Sequence, residues 1–152
     1  MSATAISGSA LRGRIDEVDA HEHALMSIGR EVCPACQVQD AGLQVLAAAR
    51  PELPVYVVSM DGDDDWSVRE DLLWPRDIRV SRAATPALVL LHRGRAVASQ
   101  HGALPAHDLD AWVAAILGPA ASPVPPGVSD AEQAVLDRTA PRRAQHAAVK
   151  GR

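Results

Sequence analysis

The sequence predicts an α/β fold, a central mixed β-sheet flanked by helices. Residues 24–29 and 55–60 are short, continuously apolar runs on either side of a long helical pattern at 34–50. Such runs mark parallel strands buried on both faces, joined by a right-handed helical crossover. Residues 87–92 and 96–100 flank Arg93-Gly94-Arg95, a hairpin pattern that adds antiparallel strands to the parallel pair. A third observation is Cys33-Pro34-Ala35-Cys36, which sets the chain's only two cysteines where the first strand gives way to the helix.

The elements follow in order. Residues 1–8 are small and polar and are expected to fray. Leu11, Ile15 and Val18 recur at i, i+4 and i+7, one face of a helix from Ser9 to about His23, with Arg12, Asp16, Glu17 and Asp19 opposite. The helix at 34–50 starts with Pro34, which suits a first turn because its missing N–H leaves nothing unpaired. Pro51 stops it, and Gly42 inside it is expected to weaken or bend it. Asp61-Gly62-Asp63-Asp64-Asp65 then invites a calcium-loop reading. An EF-hand needs Gly at loop position 6 and Glu at 12, where this chain has Trp66 and Leu72. The segment therefore reads as a solvated loop whose Asp residues cap a helix at 66–73, ended by Pro75. After the hairpin, Leu109, Trp112, Val113 and Ile116 give one face of a helix at 105–117. Pro119, Pro123, Pro125 and Pro126 read as an extended linker. Residues 130–138 allow one more helical stretch, and the last dozen residues are expected to be mobile.

The length of 152 residues suits one domain with appendages and a real core, and 47% of the residues are apolar, with no Phe. The organisation expected is an N-terminal, partly helical segment at 1–20, a domain at 21–118, and a Pro-rich linker with a mobile tail at 119–152. The net charge of −4 hides an acidic excess in residues 1–118 and a net basic tail. With no dense basic face, nucleic acid is not an expected partner. Met1 to Ala20 holds no apolar core of a secretory signal, and no run approaches a membrane span, so the chain reads as cytoplasmic with no membrane partner.

The chemistry rests on the cysteine pair. In a reducing compartment a lone CxxC reads as a reduced, catalytic pair rather than a permanent staple. A zinc site needs four ligands, and no second cysteine pair exists within the chain. Cys33 precedes the first helical turn, where free N–H groups and the helix dipole favour an anion, so it is the expected nucleophile. Cys36, one turn on and more buried, is the expected resolving thiol. His21-Glu22-His23 could share a strand face toward a metal, but solvated residues at a helix end explain them as well, and no metal or cofactor is assigned.

Read together, these features resemble the thioredoxin family, over about residues 20–118. The order is strand, CxxC, helix, strand, helix, X-Pro, hairpin, Gly, helix. Three places carry the resemblance: Cys33-Pro34-Ala35-Cys36 after a strand, Thr85-Pro86 directly before strand 87–92, and Gly102-Ala103-Leu104 before the final helix. The resemblance implies a thioredoxin-like fold with a cis-proline at Pro86 packed against the CxxC. It also implies a substrate surface made of Thr85, Pro86, Pro34 and Ala35. An X-Pro bond adopts cis at modest cost. The turn it makes leaves the backbone of Thr85 open to pair with an extended peptide.

The chain also departs from the family. Val32 stands where thioredoxins usually carry Trp, and Pro34-Ala35 replaces their Gly-Pro. Pro directly after the first Cys is similar to glutaredoxins and some periplasmic oxidants, but Ala35 follows it rather than their Tyr or His, so neither group's redox behaviour carries over. Ser27 occupies the place of their buried Asp, and no Lys answers it among Val55, Val57 and Val58. Ala41, with Gly42 beside it, stands where a helix-kinking Pro is common, and Asp61 to Arg82 is longer than in a minimal member.

The leading expectation is a thiol–disulfide oxidoreductase that exchanges disulfides with a protein partner and is reset by an external reductase or small thiol. The departures point to specialisation, so the alternative is a thioredoxin-fold binding or assembly factor with little redox turnover. A third reading is a dimer that shares zinc through two cysteine pairs. Neither the redox direction nor the potential follows from the sequence.

Overall fold

The structure is a computed structural model and describes residues 3–150, with side chains described to residue 145. Five strands form one mixed sheet: β1 (Thr4–Ser7), β2 (His23–Gly29), β3 (Val55–Ser59), β4 (Ala87–His92) and β5 (Arg95–His101). Their spatial order is β1-β3-β2-β4-β5. β3 pairs in parallel with both β1 and β2. β2 pairs antiparallel with β4, and β4 with β5. The hairpin turns through Arg93 and Gly94, both at positive φ, the backbone that matches the twist of a two-residue connection.

Alternation along the strands divides the core in two. Met26, Ile28, Tyr56, Val58, Val89 and Leu91 face one side of the sheet, where Leu11, Ile15 and Val18 meet Leu72, Leu73 and Ile78. Leu25, Val55, Leu88 and Leu90 face the other side and pack on Leu43 and Leu46 of α3 (Pro34–Ala49) and Leu109 and Val113 of α5 (Ala106–Leu117). The central strands are predominantly apolar, with Ser27 the buried exception, because both of their faces are covered. β5, at the edge, alternates between half-buried and exposed residues. No helix among the described residues is long and apolar enough to cross a membrane.

Several expectations need correction. The expected frayed start and mobile end reach into residues 1, 2, 151 and 152, which lie outside the described residues. Thr4–Ser7, however, forms the edge strand β1, with Ile6 buried in the core. The first helix divides into α1 (Gly8–Leu11), a 3-10 turn (Arg12–Arg14) and α2 (Ile15–Ala20), yet it keeps its apolar face. The helix expected at 66–73 starts earlier, as α4 (Asp63–Trp66), and continues as a π-turn over Arg69–Leu73. Pro75 does not end it. Pro75 sits in the first turn of a 3-10 segment (Trp74–Arg76), where its missing N–H costs nothing, and the segment stops at Asp77 in the left-handed conformation. Gly42 does not break α3. A Cβ there would lie 3.3 Å from the Leu104 carbonyl oxygen, so glycine lets the loop before α5 seat against the helix.

The tail is more ordered than its sequence predicts. α6 runs over Asp130–Lys150 with Pro141 inside it, and it packs on α3. Its anchor is Glu132, only 2% exposed. One Glu132 carboxylate oxygen accepts the Ala106 N–H at 2.7 Å, at the start of α5. The other accepts the Ser129 N–H at 3.0 Å, and Ser129 Oγ in turn accepts the Glu132 N–H at 3.2 Å. That reciprocal pair is a capping box. A buried ion pair closes the far end: Arg50 Nε donates to Asp110 Oδ1 at 2.8 Å and Arg50 Nη2 to the Gly118 carbonyl at 2.8 Å.

Replacing Glu132 by Ala leaves the Ala106 and Ser129 N–H groups without their acceptor. The expected cost is about 1–3 kcal/mol, read as a lower urea midpoint at an unchanged denaturant slope.

Candidate active site

The two cysteines lie at the carboxyl end of β2, the end of an open α/β sheet at which ligands bind. Cys33 is the N-cap of α3, with extended backbone and Pro34 next to it in the first turn. Its Sγ accepts the Cys36 N–H at 3.2 Å, and its carbonyl accepts the Gln37 N–H at 3.1 Å. The cysteine sulfur thus takes the place of a capping oxygen, where the helix end favours negative charge. Cys33 and Cys36 are joined as a disulfide, with their Cα atoms 5.1 Å apart. Cys33 lies on the outer side at 8% exposure, and Cys36 points inward at 3%.

The inward place of Cys36 depends on Gly29. A Cβ on residue 29 would lie 2.8 Å from Cys36 Sγ and 3.1 Å from Cys36 Cβ. Glycine at the end of β2 therefore lets the first turn of α3 rest directly on the sheet. Gly29 shares its strand face with Leu25 and Ser27, and Ser27 is buried beneath the same helix.

The loop before β4 completes the outer rim. Thr85 Oγ1 lies 4.0 Å from Cys33 Sγ, and the Thr85–Pro86 peptide bond is cis. Pro86 is buried, while Thr85, Pro34 and Ala35 are half-buried around the disulfide. The Pro86 carbonyl accepts the Gly102 N–H at 2.9 Å, but among the described residues nothing bonds the N–H or C=O of Thr85. Val32, directly before Cys33, is 70% exposed.

The acidic segment holds the loop that leads into Cys33 in place. Asp61 Oδ1 accepts the Glu31 N–H at 2.8 Å. Asp65 accepts the backbone N–H groups of Ser9 at 2.8 Å, Asp61 at 3.0 Å and Gly62 at 3.4 Å. Burial opposes ionisation of Asp65, and these hydrogen bonds outweigh it, so its carboxyl lies below the usual range. Of the carboxylates that suggested a cation loop, Asp61 and Asp65 are thus satisfied by backbone donors, and Asp63 pairs with Arg82 at 2.9 Å.

Behind Cys36 lies a cavity of about 280 Å³, lined by Cys36 and Asp40 from α3, Val57 and Ser59 from β3, and Arg30 and Glu31 at its mouth. Burial pushes the Asp40 carboxyl up from 3.8 to about 6. Among the described residues no hydrogen bond or ion pair offsets this. A second cavity, of about 570 Å³, lies at the other end of β2 between His21–His23 and Arg50–Pro54, away from both cysteines. Its histidines have neighbours: His21 Nε2 meets the Tyr56 hydroxyl at 2.9 Å, and the rings of His23 and His92 lie 4.9 Å apart. Among the described residues no cluster of three or more His, Cys, Asp or Glu could hold a metal ion.

The structure gathers Cys33, Cys36, Pro34, Ala35, Thr85 and Pro86 into one place. Sequence reasoning missed Gly29 and Asp40. Asp40 sits at i+4 from Cys36, so helical spacing alone puts the two on one face. Gly29 gives no such signal, because its role depends on how closely α3 approaches β2.

No protein-family model matches the chain, and no curated protein matches it. Solved structures do. It is similar to thioredoxin f2 from Chlamydomonas reinhardtii, with a TM-score of 0.59 and 15% identity over 77% of this chain and 98% of that one. It is similar to thioredoxin O2 from Arabidopsis thaliana in the oxidised state, with a TM-score of 0.57 and 14% identity over 76% and 94%. Against reduced desulfothioredoxin from Desulfovibrio vulgaris Hildenborough the TM-score is 0.51, at 22% identity over 76% and 100%. These likenesses show that the fold is thioredoxin-like.

The raised Asp40 carboxyl has a consequence for stability. The folded chain keeps this proton until about pH 6, whereas 3.8 is the value for an unperturbed side chain. Between those values the folded state binds more protons, so the stability this group contributes is full below the lower value and is lost as pH rises through the upper one. Asp40→Asn should therefore be more stable than the parent at pH 7 and no more stable near pH 4, as read from urea denaturation across that range.

Proposed function

We propose that this chain is a thiol–disulfide oxidoreductase that exchanges disulfides with a protein partner through Cys33 and Cys36. The observation that carries the reading is the placement of Cys33 Sγ. It caps a helix N-terminus, bonds within one turn to the only other cysteine, and lies beside a loop whose Thr85 backbone groups have no partner among the described residues.

Starting from the dithiol, the Cys33 thiolate attacks one sulfur of a partner disulfide. A Cys33–partner disulfide forms, and the partner's other sulfur leaves as a thiolate. The Cys36 sulfur then attacks Cys33 Sγ. The Cys33–Cys36 bond closes, the bond to the partner breaks, and the second partner sulfur leaves. Two electrons have passed from the cysteine pair to the partner disulfide. A small thiol or an external reductase restores the dithiol, and the same steps reversed oxidise a partner dithiol. The partner segment docks in extended form along Thr85, pairing with its free N–H and C=O as an added strand does. Pro86, Pro34 and Ala35 form the apolar rim around it. A reducing compartment such as the cytoplasm suits a pair that works from the dithiol.

Removing the resolving thiol tests this directly. Cys36→Ser should accumulate mixed disulfides with partner proteins, seen as thiol-sensitive adducts on non-reducing gels. Cys33→Ser should form none, and its reduction of a disulfide-bonded model protein should fall to background. If Cys36→Ser forms no more adducts than the double Cys→Ser chain, the oxidoreductase reading is wrong. Partner binding retained by that double variant would then favour a binding or assembly factor.

A further inference from the structure

Resting on the exchange chemistry above, we propose that Asp40 is the proton acceptor for Cys36, working across the cavity behind the cysteine pair, so that the acid–base group of the site sits on α3 rather than on the sheet. The need for such a group follows from burial. Cys36 is 3% exposed, and an apolar surrounding opposes formation of the thiolate that must attack Cys33. The proton therefore needs an acceptor on the inner side.

The sheet offers none. Ser27, buried on β2 beneath α3, does not titrate in this range, and β3 presents Val57, Val58 and Ser59 to the cavity. The charged groups that line it are Asp40, Arg30 and Glu31. Arg30 and Glu31 are exposed at the mouth, on the loop held by Asp61. Asp40 is half-buried on the same helix as Cys36 and one turn further on. Residues at i and i+4 have Cβ atoms about 5–6 Å apart, close enough for direct transfer or for one bridging water. A cavity of about 280 Å³ has room for that water. Burial already holds the Asp40 carboxyl near 6, close to the working pH of a general base at neutrality.

The step balances. The Cys36 thiol gives its proton to the Asp40 carboxylate, and the sulfur's electron pair forms the bond to Cys33 Sγ. The Cys33–partner bond breaks, and the partner sulfur leaves with that pair as a thiolate. The proton on Asp40 then leaves through the mouth of the cavity to solvent, and the departing thiolate takes one from solvent. In reverse, neutral Asp40 returns the proton to Cys36 as the disulfide opens.

The test uses the reduced full chain and 5,5′-dithiobis(2-nitrobenzoate) in stopped flow. The first release of thionitrobenzoate reports attack by Cys33, and the second reports displacement by Cys36. For Asp40→Asn we expect the first phase within about twofold of the parent. The second should be about tenfold or more slower at pH 7 and should lose its inflection near 6, while Asp40→Glu restores most of the rate. Glu31→Gln, at the mouth, should leave the second phase unchanged. As a second measurement, the Cys36 thiolate is titrated by its ultraviolet absorbance in a Cys33→Ser background. Adding Asp40→Asn, or Asp40→Ser should Asn disturb the helix, should lower the midpoint, because a neighbouring carboxylate is removed. An unchanged second phase, equal slowing of both phases, or an unchanged midpoint overturns the proposal. A parent chain that shows no second phase at all overturns the exchange reading instead.

Discussion

The close seating of α3 on the end of β2 is the constraint on which the rest of the site depends. Gly29 presents only hydrogen to Cys36, and a methyl group there would collide with the sulfur. Because the helix lands so near the sheet, its first turn aims Cys36 inward and leaves Cys33 at the rim as the cap. The same landing brings Cys33 Sγ beside Thr85, since β4 runs next to β2 and its preceding loop arrives at the same edge. It also leaves the cavity between α3 and β3 that Cys36 and Asp40 share. The positions of Cys33, Cys36, the Thr85–Pro86 loop and Asp40 thus follow from one helix–strand contact.

Elements outside the central unit serve that contact. Asp61 fixes the loop that leads into Cys33, and Asp65 ties the same acidic turn back to Ser9 at the start of α1. On the opposite face, Glu132 joins the tail to the start of α5, and Gln39 on α3 accepts the Leu104 N–H at 3.0 Å. The Glu132 and Gln39 contacts are shielded from water, where a satisfied donor adds modestly and an abandoned one costs more. Together these contacts tie the start of α3 and the loops around it in place without adding apolar area.

What the sequence disclosed depended on the kind of physics involved. The βαβ unit and the hairpin were legible because both faces of their strands are buried, which writes itself as continuous apolar runs, and the hairpin turn carries its own glycine. The cysteine pair and Thr85-Pro86 were legible as short motifs, and the structure brings them together. β1 was not legible. Thr4–Ser7 is short and offers a single buried side chain, Ile6, so only its pairing with β3 makes it a strand. Only the first part of α6, at 130–138, was legible, because its buried residues, Glu132 and Thr139, are polar and a Pro-rich stretch precedes it. Trp66 is buried with its Nε1–H on the Met60 carbonyl at 2.9 Å, whereas Trp74 lies at the surface, with Arg69 and Arg79 each 5.5 Å from its ring.

The central claim is that Cys33 and Cys36 form a working redox couple, and its most direct measurement is the equilibrium potential of that couple. The full chain would be equilibrated across a glutathione or dithiothreitol series, quenched, and its free thiols counted by mass after alkylation. A couple of the kind derived from this geometry gives one cooperative two-electron transition between dithiol and intramolecular disulfide, abolished by either Cys→Ser substitution. Thiols that never close into an intramolecular disulfide, or that titrate as two independent mixed disulfides with glutathione, would contradict it.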